Sequence, residues 1–113
     1  MNMIKVWIGT FHGNEENYLS YFDEDDCKFC DDIEEEYDPD FIGIIPLFSE
    51  IVSIEELARQ TPLGASSRDL LINDCLSLNI NEGNAVLFYS GDTREIEQGE
   101  IFNQLKYIGE YMP

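Results

Sequence analysis

Cys27-Lys28-Phe29-Cys30 is a C-x-x-C, the spacing of a dithiol redox pair or of half a zinc site. A redox pair works through a thiolate, which a helix N-terminus or nearby cations stabilise. Here Asp25, Asp26, Asp31 and Asp32 flank the two cysteines and disfavour thiolates. The strand-to-helix junction of a thioredoxin-like fold does not precede the motif. Zinc would need Cys75 and His12 to complete a Cys₃His set, with no second C-x-x-C behind it. The expectation is of partly buried free thiols that do neither redox nor metal work.

The acids around that motif are a stronger feature. Between Glu15 and Asp40 stand thirteen of the twenty-four acidic residues, against one base, Lys28. Asp23, Glu24, Asp25 and Asp26 make one group. Asp31, Asp32, Glu34, Glu35 and Glu36 make a second, followed by Tyr37 and Asp38. An EF-hand loop needs alternating acids with Gly at its sixth position. Counted from Asp23 the sixth residue is Lys28, so that pattern fails. Acids this dense repel one another, a cost that salt or a helix dipole relieves only in part. The ordinary reading is a solvated face, and the functional one is a face for a positively charged partner. The eleven residues just named, Asp23–Asp26, Asp31–Asp32 and Glu34–Asp38, are the candidate binding residues. Tyr18, Tyr21, Phe29 and Tyr37 would add apolar anchors wherever they are exposed, core packing being the alternative and stronger for Tyr18 than for Tyr37.

Catalytic equipment is sparse. His12 is the single histidine, and neither a Gly-x-Ser-x-Gly nor a Gly-x-x-x-x-Gly-Lys-Ser/Thr sequence occurs. Among so many carboxylates no pair stands out for acid–base work. Trp7 fits sheet packing better than a binding hot spot. The reading is a non-enzyme that carries no cofactor.

Composition sets the bounds. At 113 residues the chain makes one domain spanning 1–113, with room for a real core. Its 43% hydrophobic and 12% aromatic content argues for a globule and not a disordered acidic chain. A net charge of −18 and a pI near 4.1 argue against nucleic acid and anionic membranes as partners. No apolar run approaches the roughly 20 residues that span a bilayer. The opening MNMIKVWIGTF lacks the layout of a signal peptide. An odd cysteine count suits a reducing compartment, so a cytoplasmic location is expected.

Several elements must position these residues. Ile4–Phe11 is β-branched and aromatic, a first strand. Asn14 caps a helix whose apolar face is Tyr18, Leu19 and Phe22. Asp38-Pro39-Asp40 is a turn, and Phe41–Phe48 a strand that Pro46 confines to a sheet edge or a bulge. Ser53-Ile54-Glu55-Glu56 is a capping box opening a helix to about Arg59. Ser66 caps a longer helix to about Leu78, burying Leu71, Cys75 and Leu78 with Leu70 alongside. Asn81–Gly83 is a turn, Asn84–Tyr89 a central strand, Ser90–Gln98 a polar loop and Leu105–Tyr111 the last strand. The sum is an α+β fold: about four strands, mainly antiparallel, with helices packed on one face.

Val6-Trp7-Ile8-Gly9-Thr10-Phe11, the acidic helix after it, Tyr37-Asp38-Pro39-Asp40-Phe41, Ser53-Ile54-Glu55-Glu56-Leu57, Asn84–Tyr89 and Leu105–Gly109 occur in that order. Together they resemble the immunity protein 22 family of bacterial polymorphic toxin systems, over nearly the whole chain. The C-x-x-C is not part of that resemblance, and nothing is carried over in the Ser90–Gln104 region. The resemblance implies a small cytoplasmic protein that binds and neutralises a cognate toxin domain, often a nuclease, without catalytic residues. A nuclease that grips phosphates presents the basic surface that the charge argument asks for. The alternatives are an acidic nucleic-acid mimic inhibiting a host DNA-binding protein, or a small metal or redox protein using Cys27 and Cys30.

Overall fold

The computed structural model describes residues 3–113, so Met1 and Asn2 of the opening segment lie outside the described residues. In chain order the elements are β1 (Ile4–Gly9), α1 (Glu15–Leu19), α2 (Lys28–Ile33), β2 (Ile42–Ile44), β3 (Val52–Ser53), α3 (Ile54–Ala58), α4 (Ala65–Ser77), β4 (Glu82–Gly83), β5 (Ala85–Tyr89), β6 (Ile101–Phe102) and β7 (Leu105–Tyr111). One 3₁₀ turn, Pro39–Phe41, precedes β2. The class is α+β, as the sequence pattern predicts.

Five strands, one more than expected, form an antiparallel sheet in the order β2-β5-β1-β7-β6. The extra strand, β6, is two residues that hairpin onto β7. The turn expected at Asn81–Gly83 also contributes, because Glu82 and Gly83 pair with Ser53 and Val52 as a separate small ladder. Gly83 is required there: a Cβ would lie 2.4 Å from the Gly9 carbonyl oxygen. β2 sits at the sheet edge, where Pro46 places it. Only Ile42–Ile44 pair regularly, and beyond them Ile45 and Phe48 still donate to Val86 and Asn84.

Helices cover both faces, in place of the single face expected. The reason lies in β1, β5 and β7, which are apolar on both sides. Trp7, Ala85, Leu87, Tyr89, Leu105 and Tyr107 face α1 and α2 through a cluster that also holds Tyr18, Phe22, Phe29 and Ile33. Val6, Ile8, Val86 and Ile108 face α3 and α4, with Leu57, Leu71 and Cys75. A bulge joins the two halves. Val6 opposes Gly109 but Trp7 opposes Tyr107, which leaves Ile108 as the extra residue. The slip moves Tyr111 onto the α4 face, where its hydroxyl donates to Asp74 at 2.6 Å.

Caps explain most helix boundaries. Asn14 and Ser53 accept from Asn17 and Glu56, as their spacing predicts. Ser66 does not cap α4; Gly64 in an extended conformation starts the helix before it, with no side-chain cap. At the other end Asn79 is left-handed at φ 64°, and Ile80 donates back to Cys75. Leu71 and Cys75 are buried, but Leu70 and, on α1, Leu19 point to solvent.

Candidate functional site

The acidic segment is folded onto the aromatic half of the core. Helix α2 falls in the middle of the charge run, where the sequence shows no helical signal beyond Phe29 and Ile33. Both of those side chains are wholly buried. Phe29 is the hub: its ring lies 5.4–5.9 Å from Trp7, Tyr21, Phe22, Tyr37 and Tyr89. Burial of one Phe is worth about 1.5–3 kcal/mol, and each favourable ring pair adds roughly 0.5–1.5. Those gains hold the acids in place against their mutual repulsion.

From this base the carboxylates radiate outward. Asp23, Glu24, Asp25 and Asp26 form an exposed loop closed by a bridge between Phe22 and Cys27, with Asp23 accepting from the Asp25 amide at 3.0 Å. Asp31 is exposed on α2. Glu34 ends the helix in the left-handed region at φ 59°, and Glu35 donates back to Cys30. That sharp exit leaves Glu34, Glu35 and Glu36 exposed. Asp38 is exposed too and caps the 3₁₀ turn, while its amide donates to the Tyr89 hydroxyl at 2.9 Å.

Two of the candidate residues face inward. Asp32 is half-buried and accepts a hydrogen bond from the Tyr21 hydroxyl. Burial first, and that carboxylate second, raise the Tyr21 phenol well above its ordinary range. Tyr37 is half-buried against Phe22 and Phe29, its hydroxyl 3.4 Å from the Phe22 carbonyl. Tyr18, Tyr21 and Phe29 are buried, so the condition for their acting as anchors is not met and the alternative holds: they are core.

The polar loop from Ser90 supplies what sequence reading missed. Arg94 donates to the Asp32 carbonyl at 2.7 Å through Nε and to Glu100 through Nη2 at 2.8 Å, and its amide donates to the Ile33 carbonyl at 2.9 Å. Glu34 lies 3.4 Å from the same guanidinium. Arg94 thereby closes the C-terminal end of α2, which has no basic residue in its own last turn. The bond from Arg94, and then one from the Glu97 amide, hold the Glu100 carboxyl below the usual range.

The same loop completes a cleft of about 250 Å³ lined by Glu35, Glu36, Asp38, Phe41, Tyr89 and Asp92. Phe41, expected inside a strand, is 45% exposed. No periodicity marks it out, since the turn before it decides which way the ring points. A smaller cleft, which shares Glu36, has Glu24 in its lining as well. An aromatic ring ringed by carboxylates can hold a lysine or arginine side chain of a partner by ion pairing and by cation–π contact.

Cys27 and Cys30 are joined in a disulfide, which corrects the expectation of free thiols. The bond also removes the cysteine-count argument for a reducing compartment. Cys75 is buried on the other face of the sheet, so no Cys₃His set is assembled. His12 is exposed. Among the described residues no three His, Cys, Asp or Glu side chains are grouped to hold a metal ion, and no helix is long and apolar enough to cross a membrane.

No curated protein and no solved structure matches the chain significantly. A family model described as Immunity protein 22 matches residues 4–112, which takes in every element from β1 to β7. The chain belongs to the immunity protein 22 family.

Proposed function

We propose that this protein neutralises a toxin domain, a nuclease, by laying its acidic face over the toxin's basic substrate-binding surface in the cytoplasm. Membership of an immunity family supports a toxin-neutralising role. The exposed carboxylates Glu35, Glu36, Asp38 and Asp92, which line one cleft with the half-exposed Phe41 ring, support the choice of face. The protein acts by stoichiometric occlusion and not by catalysis. Opposed charge accelerates encounter, towards about 10⁸ M⁻¹s⁻¹ at low salt. Phe41 then supplies the desolvated anchor that slows release.

The observation that carries the reading is that a rigid aromatic core, not a flexible tail, presents the charge. Binding of the cognate toxin domain, encoded by the neighbouring gene, tests it across a salt series. Neutralising Glu34, Glu35 and Glu36 to Gln lowers the association rate and flattens its salt dependence. An unchanged rate and slope would place the contact elsewhere.

A further inference from the structure

We propose that the Cys27–Cys30 disulfide is a surface exchange site that admits cationic thiols and turns away anionic ones. Both sulfur-bearing residues are half-buried and line a cleft of about 190 Å³ together with Glu24, Glu36, Tyr37 and Pro39. A small thiol reaches the bond through that opening. Two carboxylates stand in the wall of the cleft, and Asp25, Asp26 and Asp31 are exposed within four residues of the pair. The attacking species is a thiolate, so its charge adds to that of the group that carries it. An anionic thiol approaches as a double negative against this field and is repelled, whereas a thiol bearing an ammonium attacks as a net-neutral zwitterion and is not.

The chemistry is ordinary thiol–disulfide exchange. A thiolate bonds to one sulfur, the Cys27–Cys30 bond breaks, and the released protein thiolate takes a proton. A second small thiol attacks the mixed disulfide and leaves with the first as a symmetric disulfide. Two electrons pass from two small thiols to the protein, which ends with two cysteine thiols.

Reduction has a structural consequence. Cys27 is the N-cap of α2, its sulfur accepting the Cys30 amide at 3.1 Å, and α2 has only six residues. A helix that short is not stable by itself. Once the cross-link is open, the first turn of α2 keeps the buried Phe29 ring and the main-chain bonds from Phe29 to Tyr21 and from Asp31 to Cys27, and the Asp23–Asp26 loop loosens.

The experiment is a thiol count followed by reduction kinetics on the intact wild-type chain. The unfolded, unreduced protein titrates one thiol, Cys75, and the fully reduced protein titrates three. At matched thiolate concentration and low ionic strength, cysteamine opens the bond faster than 2-mercaptoethanesulfonate, by on the order of tenfold. The gap narrows as salt rises towards about 0.5 M, where screening is strong. Amide exchange from Asp23 to Ile33 rises on reduction, and a Cys27→Ser/Cys30→Ser variant shows no response to either thiol. Three thiols before any reductant, or equal rates for the two probes at low salt, overturns the proposal.

Discussion

Arg94 donates through Nε to the main-chain carbonyl of Asp32, across 62 residues of sequence, at 2.7 Å. That one bond ties the polar loop to the acidic helix and stops α2 with a positive charge at its C-terminal end, where the helix dipole favours one. It also sets the single cation of the loop beside the acidic face, 3.4 Å from the Glu34 carboxylate.

Removing that tie loosens both segments. Arg94→Ala lowers stability by about 1.5–3 kcal/mol, the range for losing a hydrogen bond made by a charged group. Arg94→Lys recovers only part, because an ammonium cannot span the Asp32 carbonyl and Glu100 together. Urea unfolding measures both, and amide exchange at Glu34 and Glu35 reports the opening locally.

Phe29 is the residue on which the acidic face stands. Phe29→Ala costs about 3–5 kcal/mol, as for other large buried aromatics. Phe29→Leu costs less. Trp7 is fully buried 5.9 Å away, so its fluorescence shifts to the red in the Ala variant below the melting transition. An unshifted spectrum with full stability contradicts the hub role.

Charge and ring have separable effects on binding. Glu35→Gln/Glu36→Gln/Asp38→Asn slows association with the toxin domain and leaves dissociation close to wild type. Phe41→Ala does the reverse, raising dissociation by about tenfold or more for an anchor worth 1.4 kcal/mol. Asp32→Asn alters neither rate and instead lowers stability through its bond from Tyr21. Stopped-flow and equilibrium unfolding divide these outcomes.

Alkaline pH unfolds the protein in a defined window. Burial, with Asp74 beside it, pushes the Cys75 thiol from 9.0 up to about 12. Burial is also the leading cause that raises Tyr18, Tyr21, Tyr107 and Tyr111 above 10.0. A group whose folded pKa is raised adds stability that is complete below its unfolded pKa and drains as pH climbs towards the folded value. Loss therefore begins near pH 9 with Cys75 and steepens near pH 10 with the tyrosines. Melting temperature against pH measures it. Tyrosinate absorbance from these four appears together with unfolding and not before.

Much of the frame was legible because it rests on local rules. Asn14 and Ser53 announce their caps, Pro46 its edge position, and Leu105–Tyr111 a strand that the structure reproduces residue for residue. The order of these pieces sufficed for the family. Helix α2 was not legible, because six residues with three charges carry no periodicity. Its formation depends on Phe29 meeting rings from β1, β5 and the Tyr37 segment.

The site divides in the same way. Charge is a sum over residues, so the sequence alone determined that this protein is strongly acidic between Glu15 and Asp40. Orientation depends on contacts between distant segments. Only the tertiary structure decided that Asp32 turns inward to Tyr21 while Glu34–Glu36 turn outward. It also brought Asp92 beside Phe41 and closed Cys27 onto Cys30. The orientations of Asp32 and of the Phe41 cleft come from contacts between distant segments that no local pattern encodes, whereas the disulfide joins two residues that the C-x-x-C spacing already sets close together.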